Sequence, residues 1–177
     1  PSKYIAGPDV NTAEEEMKWF VEANGNLKSA TGKPSNLCVK PGVKCGIPHE
    51  YGSTGYGISI ATIIAAKNLS FDIKDLSIAI EGFGNVGTFV AKHLEKAGAK
   101  IVAVSDSRGC MYNADGLSTK ILLNVKEKTG SVTNYRDGKS LPNKEIFELP
   151  VDVLIPAALP DVITKENVGL VKAKLIV

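Results

Sequence analysis

The residues with the clearest chemistry are Gly82-Phe83-Gly84-Asn85-Val86-Gly87 and, 19 residues past the last of them, Asp106. A G-x-G-x-x-G run can hold a pyrophosphate when a strand leads into it and a helix leads out. Gly82 permits the tight turn, Gly84 lets the anion approach the backbone, and Gly87 lets helix and strand pack closely. The main chain of Phe83, Asn85 and Val86 completes the turn, where unpaired N–H groups and the helix dipole favour negative charge. An acidic residue about 20 positions on, closing the next strand, can accept hydrogen bonds from an adenosine ribose. Asp106 and its neighbour Ser107 are candidates for that contact. The competing readings are glycines kept for packing alone and a merely solvated carboxylate at Asp106. An acid here opposes a 2′-phosphate, while Arg108 could pair with one. The balance favours NAD over NADP.

The elements around the motif have the required order. Leu76–Glu81 reads as a strand, and a helix follows with Val86, Phe89, Val90 and Leu94 on one face and Gly98 at its end. Lys100–Asp106 reads as the next strand, giving a βαβ unit that must be parallel. Upstream, Thr12 with Glu15 fits a capping box for a helix over Ala13–Asn24. A second helix, Gly55–Leu69, is apolar nearly all round and so is expected to be largely buried. Downstream, Tyr112–Gly116 is a turn, and Ser118 caps a helix running to about Lys128. Ser131–Glu145 reads as surface loop, Val151–Ile155 as a strand, Lys165–Val171 as a short helix and Lys174–Val177 as a last strand. Ala157 and Ala158 follow a strand's carboxyl end, where ligands bind in open α/β sheets; tight packing explains their small size equally well. The expected fold is α/β and Rossmann-like, a mostly parallel sheet with helices on both faces.

Composition narrows the function. The chain has 177 residues and a net charge of +2, with its basic residues scattered, which gives no stripe for a nucleic acid. No run reaches the ~18 apolar residues that suggest a membrane span. Three widely spaced cysteines argue against a secreted disulfide framework and point to a cytoplasmic protein. Cys38, Cys45 and His49 form a Cys-x6-Cys-x3-His pattern that matches no standard zinc spacing, so no metal is expected. His93, beside Lys92 and Glu95, is expected in solvent. Pro1 is not Met, and the apolar run at Lys174–Val177 has no polar tail, so both ends read as cut from a longer protein.

Taken together, Gly32-Lys33-Pro34, Ser53-Thr54-Gly55-Tyr56-Gly57, the Gly82–Gly87 motif, Val104-Ser105-Asp106-Ser107 and Pro156-Ala157-Ala158-Leu159 resemble the glutamate dehydrogenases in kind and order. Pro8-Asp9-Val10-Asn11-Thr12 is similar to that family's segment entering its cofactor domain. The resemblance covers essentially the whole chain. It implies that residues 1–177 are a dinucleotide-binding domain, with the N-terminal substrate domain and a C-terminal tail absent. It implies reversible oxidative deamination of L-glutamate to 2-oxoglutarate and ammonia with NAD or NADP in a homo-hexamer, the chain alone being inactive. Asp9 inherits a proton-transfer role and Thr54 a contact at the nicotinamide end; without the resemblance they read as an exposed pre-helix carboxylate and a helix-start hydroxyl. Pro41-Gly42, Glu50 and Pro160-Asp161 depart from the family's pattern and weaken assignments around the nicotinamide. Alternatives are a leucine, phenylalanine or valine dehydrogenase, or a non-catalytic dinucleotide-sensing module.

Overall fold

The computed structural model describes residues 3–38 and 46–177. Cys45 and Pro41-Gly42 lie outside the described residues. The chain divides into two compact units, Pro1–Ser53 and Thr54–Val177.

The first unit is built on α1 (Glu14–Ala23), which buries Met17 and Val21 with Ala30 against Ala6, Phe20, Leu27 and Leu37. Three glutamates in its first turn complement the helix dipole. The cap differs from the Thr12–Glu15 expectation. Thr12 Oγ1 accepts the Asp9 N–H at 2.8 Å and is therefore committed to the preceding turn. The helix starts one residue later, and the Glu16 carboxylate accepts the Ala13 N–H at 2.7 Å. Lys33 is buried, with its ammonium donating to the Ala30 carbonyl.

The second unit is a six-stranded sheet in the order β4-β3-β2-β1-β5-β6. Its strands are β1 (Ser77–Glu81), β2 (Lys100–Asp106), β3 (Gly109–Tyr112), β4 (Lys139–Leu141), β5 (Val153–Pro156) and β6 (Leu175–Ile176). The β1–β2, β1–β5 and β5–β6 pairs are parallel, and only β3 runs against the rest. The fold is thus α/β with a mostly parallel sheet. Strand alternation sends Ile78, Ile80, Val153 and Ile155 to one face, where they meet Ala66 of α2 (Ser53–Asn68), Val90 and Leu94 of α3 (Asn85–Lys96) and Leu122 of α4 (Thr119–Thr129). Ala79, Val102, Cys110 and Leu154 face the other way, against Ile146 of the 3-10 segment Asn143–Glu148. Burial pushes the Cys110 thiol up to about 12, aided by the charge of Glu145, so it packs as a small hydrophobe. No helix among the described residues is long and apolar enough to cross a membrane.

Four expectations change here. Helix α2 is not largely buried: Ile60 and Ile64 are 38% and 54% exposed, and the inward stripe is Gly55, Ser59, Thr62 and Ala66. The two hydroxyls are buried without loss because they bond back to the carbonyls of Gly55 (2.6 Å) and Ile58 (2.8 Å). Small residues let the helix come close, since a Cβ at Gly55 would stand 2.6 Å from Phe89 Cβ and 2.7 Å from the Val86 carbonyl. The Ser131–Glu145 loop contains β4, and β3 was not foreseen. The helix expected over Lys165–Val171 shrinks to a 3-10 turn, Val168–Leu170. His93 is not free in solvent, because its ring meets Tyr56 edge-on at 5.1 Å and lies over Phe89 at 6.3 Å.

At the amino edge of the sheet Asp152 clamps three strands. Its carboxylate accepts from Ser77 N and Oγ at 3.0 and 2.7 Å and pairs with Lys174 at 2.8 Å. Partial burial alone would raise its pKa. The bonds from Lys174 and Ser77, with the lysine's charge, outweigh that and hold it at about 2, below the ordinary 3.8. A depressed carboxyl stabilises the fold above its unfolded pKa, and the stabilisation drains away as pH falls through the folded value. Urea midpoints measured from pH 6 down to pH 2 are therefore expected to drop less in Asp152→Asn than in the parent. The difference should be about 1 kcal/mol, since the lysine is largely solvent-exposed. Parallel pH curves would remove Asp152 as a source of acid sensitivity.

Candidate functional site

The carboxyl ends of β1 and β5 lie side by side, with Glu81 opposite Pro156. Strand β1 is the branch point of the sheet: the chain leaves it through α3 to reach β2 on one side, while β5 lies on the other. A crevice at such a switch point is where open α/β sheets take ligands. The Ala157 N–H donates to the Glu81 carbonyl at 2.7 Å, and the Ala158 N–H to its carboxylate at 3.2 Å. Burial pushes the Glu81 carboxyl up, opposed by the Ala158 and Ala157 N–H groups beside the carboxylate.

Of the three glycines in the turn between β1 and α3, two are packed against the protein and one is open. Gly82 has φ +94°, and a Cβ there would stand 2.6 Å from Ala158 Cβ. Its N–H donates to Ser105 Oγ at 3.1 Å, which ties β1 to β2. A Cβ at Gly87 would stand 1.8 Å from the Gly82 carbonyl oxygen, so the first turn of α3 rests directly on the chain leaving β1. Gly84 is different: it is exposed, and a Cβ there would meet nothing within 4 Å. It is also the cap position of α3 and supplies no side-chain acceptor to the helix's first N–H groups. The Phe83 side chain is buried in the core, so only its main chain contributes to the turn. Asn85 and Val86 are half-buried at the helix start.

The other candidates lie as follows. Thr54 is exposed in the first turn of α2, next to Gly55, which abuts α3. Asp106 closes β2, and its carboxylate accepts from Arg108 N (2.9 Å), Ser131 Oγ (3.1 Å) and Val132 N (2.7 Å). A carboxylate offers about four lone-pair sites, so about one remains for a ligand. Ser107 and Arg108 are exposed, and the Arg108 guanidinium reaches the Thr129 carbonyl at 3.4 Å. In the first unit Asp9 is exposed, with Oδ1 accepting the Val10 N–H at 2.7 Å in a tight turn whose next residue, Asn11, has φ +60°. Ala157 is half-buried and Ala158 exposed at the mouth of the crevice.

The model of the Glutamate/Leucine/Phenylalanine/Valine dehydrogenase family matches residues 45–177. The chain belongs to that family. It is 43% identical to a glutamate dehydrogenase of Aeropyrum pernix over 97% of its own length and 41% of that protein's. An NADP-specific glutamate dehydrogenase of Saccharolobus shibatae is 42% identical over 98% of this chain and 41% of its own. An NAD-specific enzyme of Staphylococcus aureus is 38% identical over 100% and 42%. In structure, the hetero-hexameric glutamate dehydrogenase of Thermus thermophilus superposes with a TM-score of 0.79 at 29% identity, covering 98% of this chain and 40% of that one. The chain thus spans about two-fifths of the curated relatives it matches.

The geometry of the turn leaves one place, at Gly84, where an anion could approach the backbone. Gly82 and Gly87 are filled in from the protein side, and the open side of Gly84 lies at the carboxyl edge of the sheet. Three participants were not foreseen: Ser105, Glu81 and Lys126. The lysine's Nζ donates to the Phe83 carbonyl at 2.7 Å. Ser105 and Glu81 stood next to singled-out residues and were legible as neighbours. Lys126 lies 43 positions from Phe83, and no local pattern marks it.

Proposed function

We propose that this chain is the cofactor-binding part of a glutamate dehydrogenase that oxidatively deaminates L-glutamate to 2-oxoglutarate and ammonia. The observation that carries the cofactor half of this reading is the open approach at Gly84, between glycines packed against the protein on either side. The substrate half is supported by relatives named glutamate dehydrogenases. Gly82, Gly84 and the main chain of Phe83, Asn85, Val86 and Gly87 would hold the pyrophosphate. Asp106 and Ser107 would take the adenosine ribose, Ala157 and Ala158 the second ribose, and Thr54 the nicotinamide end. When bound, the dinucleotide supplies a hydride acceptor for the substrate's α-carbon. Asp9 moves a proton as the substrate imine is hydrolysed. The Asp106 charge disfavours a 2′-phosphate, so NAD is the preferred cofactor. We further infer a cytoplasmic enzyme, hexameric at full length, as the Thermus relative is described as hetero-hexameric.

Titration of the chain with NAD+ and with NADP+ in a calorimeter tests this. The expected result is a dissociation constant on the order of micromolar to millimolar, the range usual for enzyme ligands, with NAD+ the tighter. No heat from either at saturating concentration would overturn the cofactor reading. Tighter binding of NADP+ would overturn the role given to Asp106.

A further inference from the structure

We propose that Lys126 is a positioning residue that sets the peptide between Phe83 and Gly84 in its anion-binding orientation; this rests on the dinucleotide reading above. The Lys126 ammonium reaches back from α4 to donate to the Phe83 carbonyl at 2.7 Å, and it lies 5.9 Å from the centre of the Phe83 ring. That ring is fixed, being only 2% exposed in the core. Thr88 Oγ1 offers the same carbonyl a longer bond at 3.4 Å, so the lysine is its principal donor. A trans peptide is planar, with its C=O and N–H pointing in opposite directions. Holding the Phe83 carbonyl toward α4 therefore turns the Gly84 N–H away from α4. Gly84 is the residue whose surroundings are open. The hydrogen bond is charge-assisted and partly buried, so it outweighs a neutral bond at the same place. It also leaves one positive charge a single peptide away from where a pyrophosphate would lie.

The test uses Lys126→Met, which keeps a helix-forming residue and an unbranched apolar stem, and Lys126→Arg, which keeps charge and donor. Binding of NAD+ is read by calorimetry, and the Gly84 amide by nitrogen-15 NMR without ligand. Lys126→Met is expected to weaken NAD+ binding about tenfold or more, the scale of one charge-assisted bond, and to shift the Gly84 amide resonance with little change in melting temperature. Lys126→Arg should recover most of both. Unchanged affinity in Lys126→Met, or an arginine variant as weak as the methionine one, would overturn the proposal. If the parent chain bound neither NAD+ nor NADP+, the cofactor reading would fall. The Gly84 resonance would then still decide the positioning role, an unmoved signal in Lys126→Met refuting it. Should Lys126→Met not fold, Lys126→Leu, which also lacks a donor, supplies the same comparison.

Discussion

Gly87→Ala is expected to destabilise the chain by about 3 kcal/mol or more, and to lose dinucleotide binding with it. Two effects oppose each other at this position. Alanine in a helix interior is ordinarily about 1 kcal/mol better than glycine, because it restricts the unfolded chain. The added methyl would stand 1.8 Å from the Gly82 carbonyl oxygen and 3.2 Å from Ile80 Cγ2. The first of these neighbours is backbone, held by the Gly82 N–H bond to Ser105, so no flexible side chain can swing aside. Relief requires α3 to lift from the strand by more than an ångström, which also pulls Val90 and Leu94 out of the core. Overpacking costs typically 1–3 kcal/mol and more when backbone must move, so the clash wins over the propensity gain. For a chain of this size each kcal/mol lowers the melting temperature by about 2–4 °C. A drop of roughly 6–12 °C in a thermal melt followed by circular dichroism is the expected reading. A melting temperature equal to the parent's, or higher, would mean that α3 does not sit on the Gly82 carbonyl.

The same geometry shows which features the sequence could disclose. The β1–α3–β2 unit was readable because strand burial and helix amphipathicity each impose a period, and the glycines mark where the period changes. The parallel core followed from it, since a helical crossover leaves no other option. What escaped detection lacks a period. Strand β4 has three residues and β3 four, too few for alternation to register; β3 folds back on β2 across Ser107-Arg108, and β4 takes its ladder bonds from β3, distant in sequence. Helix α2 misled for the opposite reason. Its abundant isoleucines suggested burial, yet the face that packs is chosen by the smallest residues, which permit the closest approach to α3. Candidate site residues divided along similar lines. Positions tied to the motif were legible, whereas the bonds that already engage Asp106, from Ser131 and Val132, depend on a tertiary contact across 25 and 26 positions. Asp106 thus has a structural duty, holding Ser131 and Val132, that the sequence hides.

The second large effect is expected at Gly84, and it must differ in kind from that at Gly87. Gly84→Val should leave the fold nearly intact while weakening NAD+ binding by at least about 100-fold, which is about 2.7 kcal/mol. Gly84 has φ −83° and ψ −155°, extended backbone that any L-residue adopts, so the substitution introduces no strain. No atom lies within 4 Å of the new Cβ, so it introduces no clash either. A branched residue at the cap position of α3 costs a fraction of a kcal/mol relative to glycine, which predicts a melting temperature within about 4 °C of the parent's. What valine does change is the space outside the turn, where it puts three carbons between the helix's first N–H groups and any approaching phosphate. Those groups give strong bonds only at hydrogen-bonding distance, and a pyrophosphate pushed back by a methyl loses several together. The two glycines therefore separate scaffold from site. Loss of folding at Gly87 and loss of binding at Gly84 is the pattern required if the anion lies on the open side of this turn. A Gly84→Val chain that still bound NAD+ like the parent would place the pyrophosphate elsewhere, even if the fold around Gly87 behaved as described.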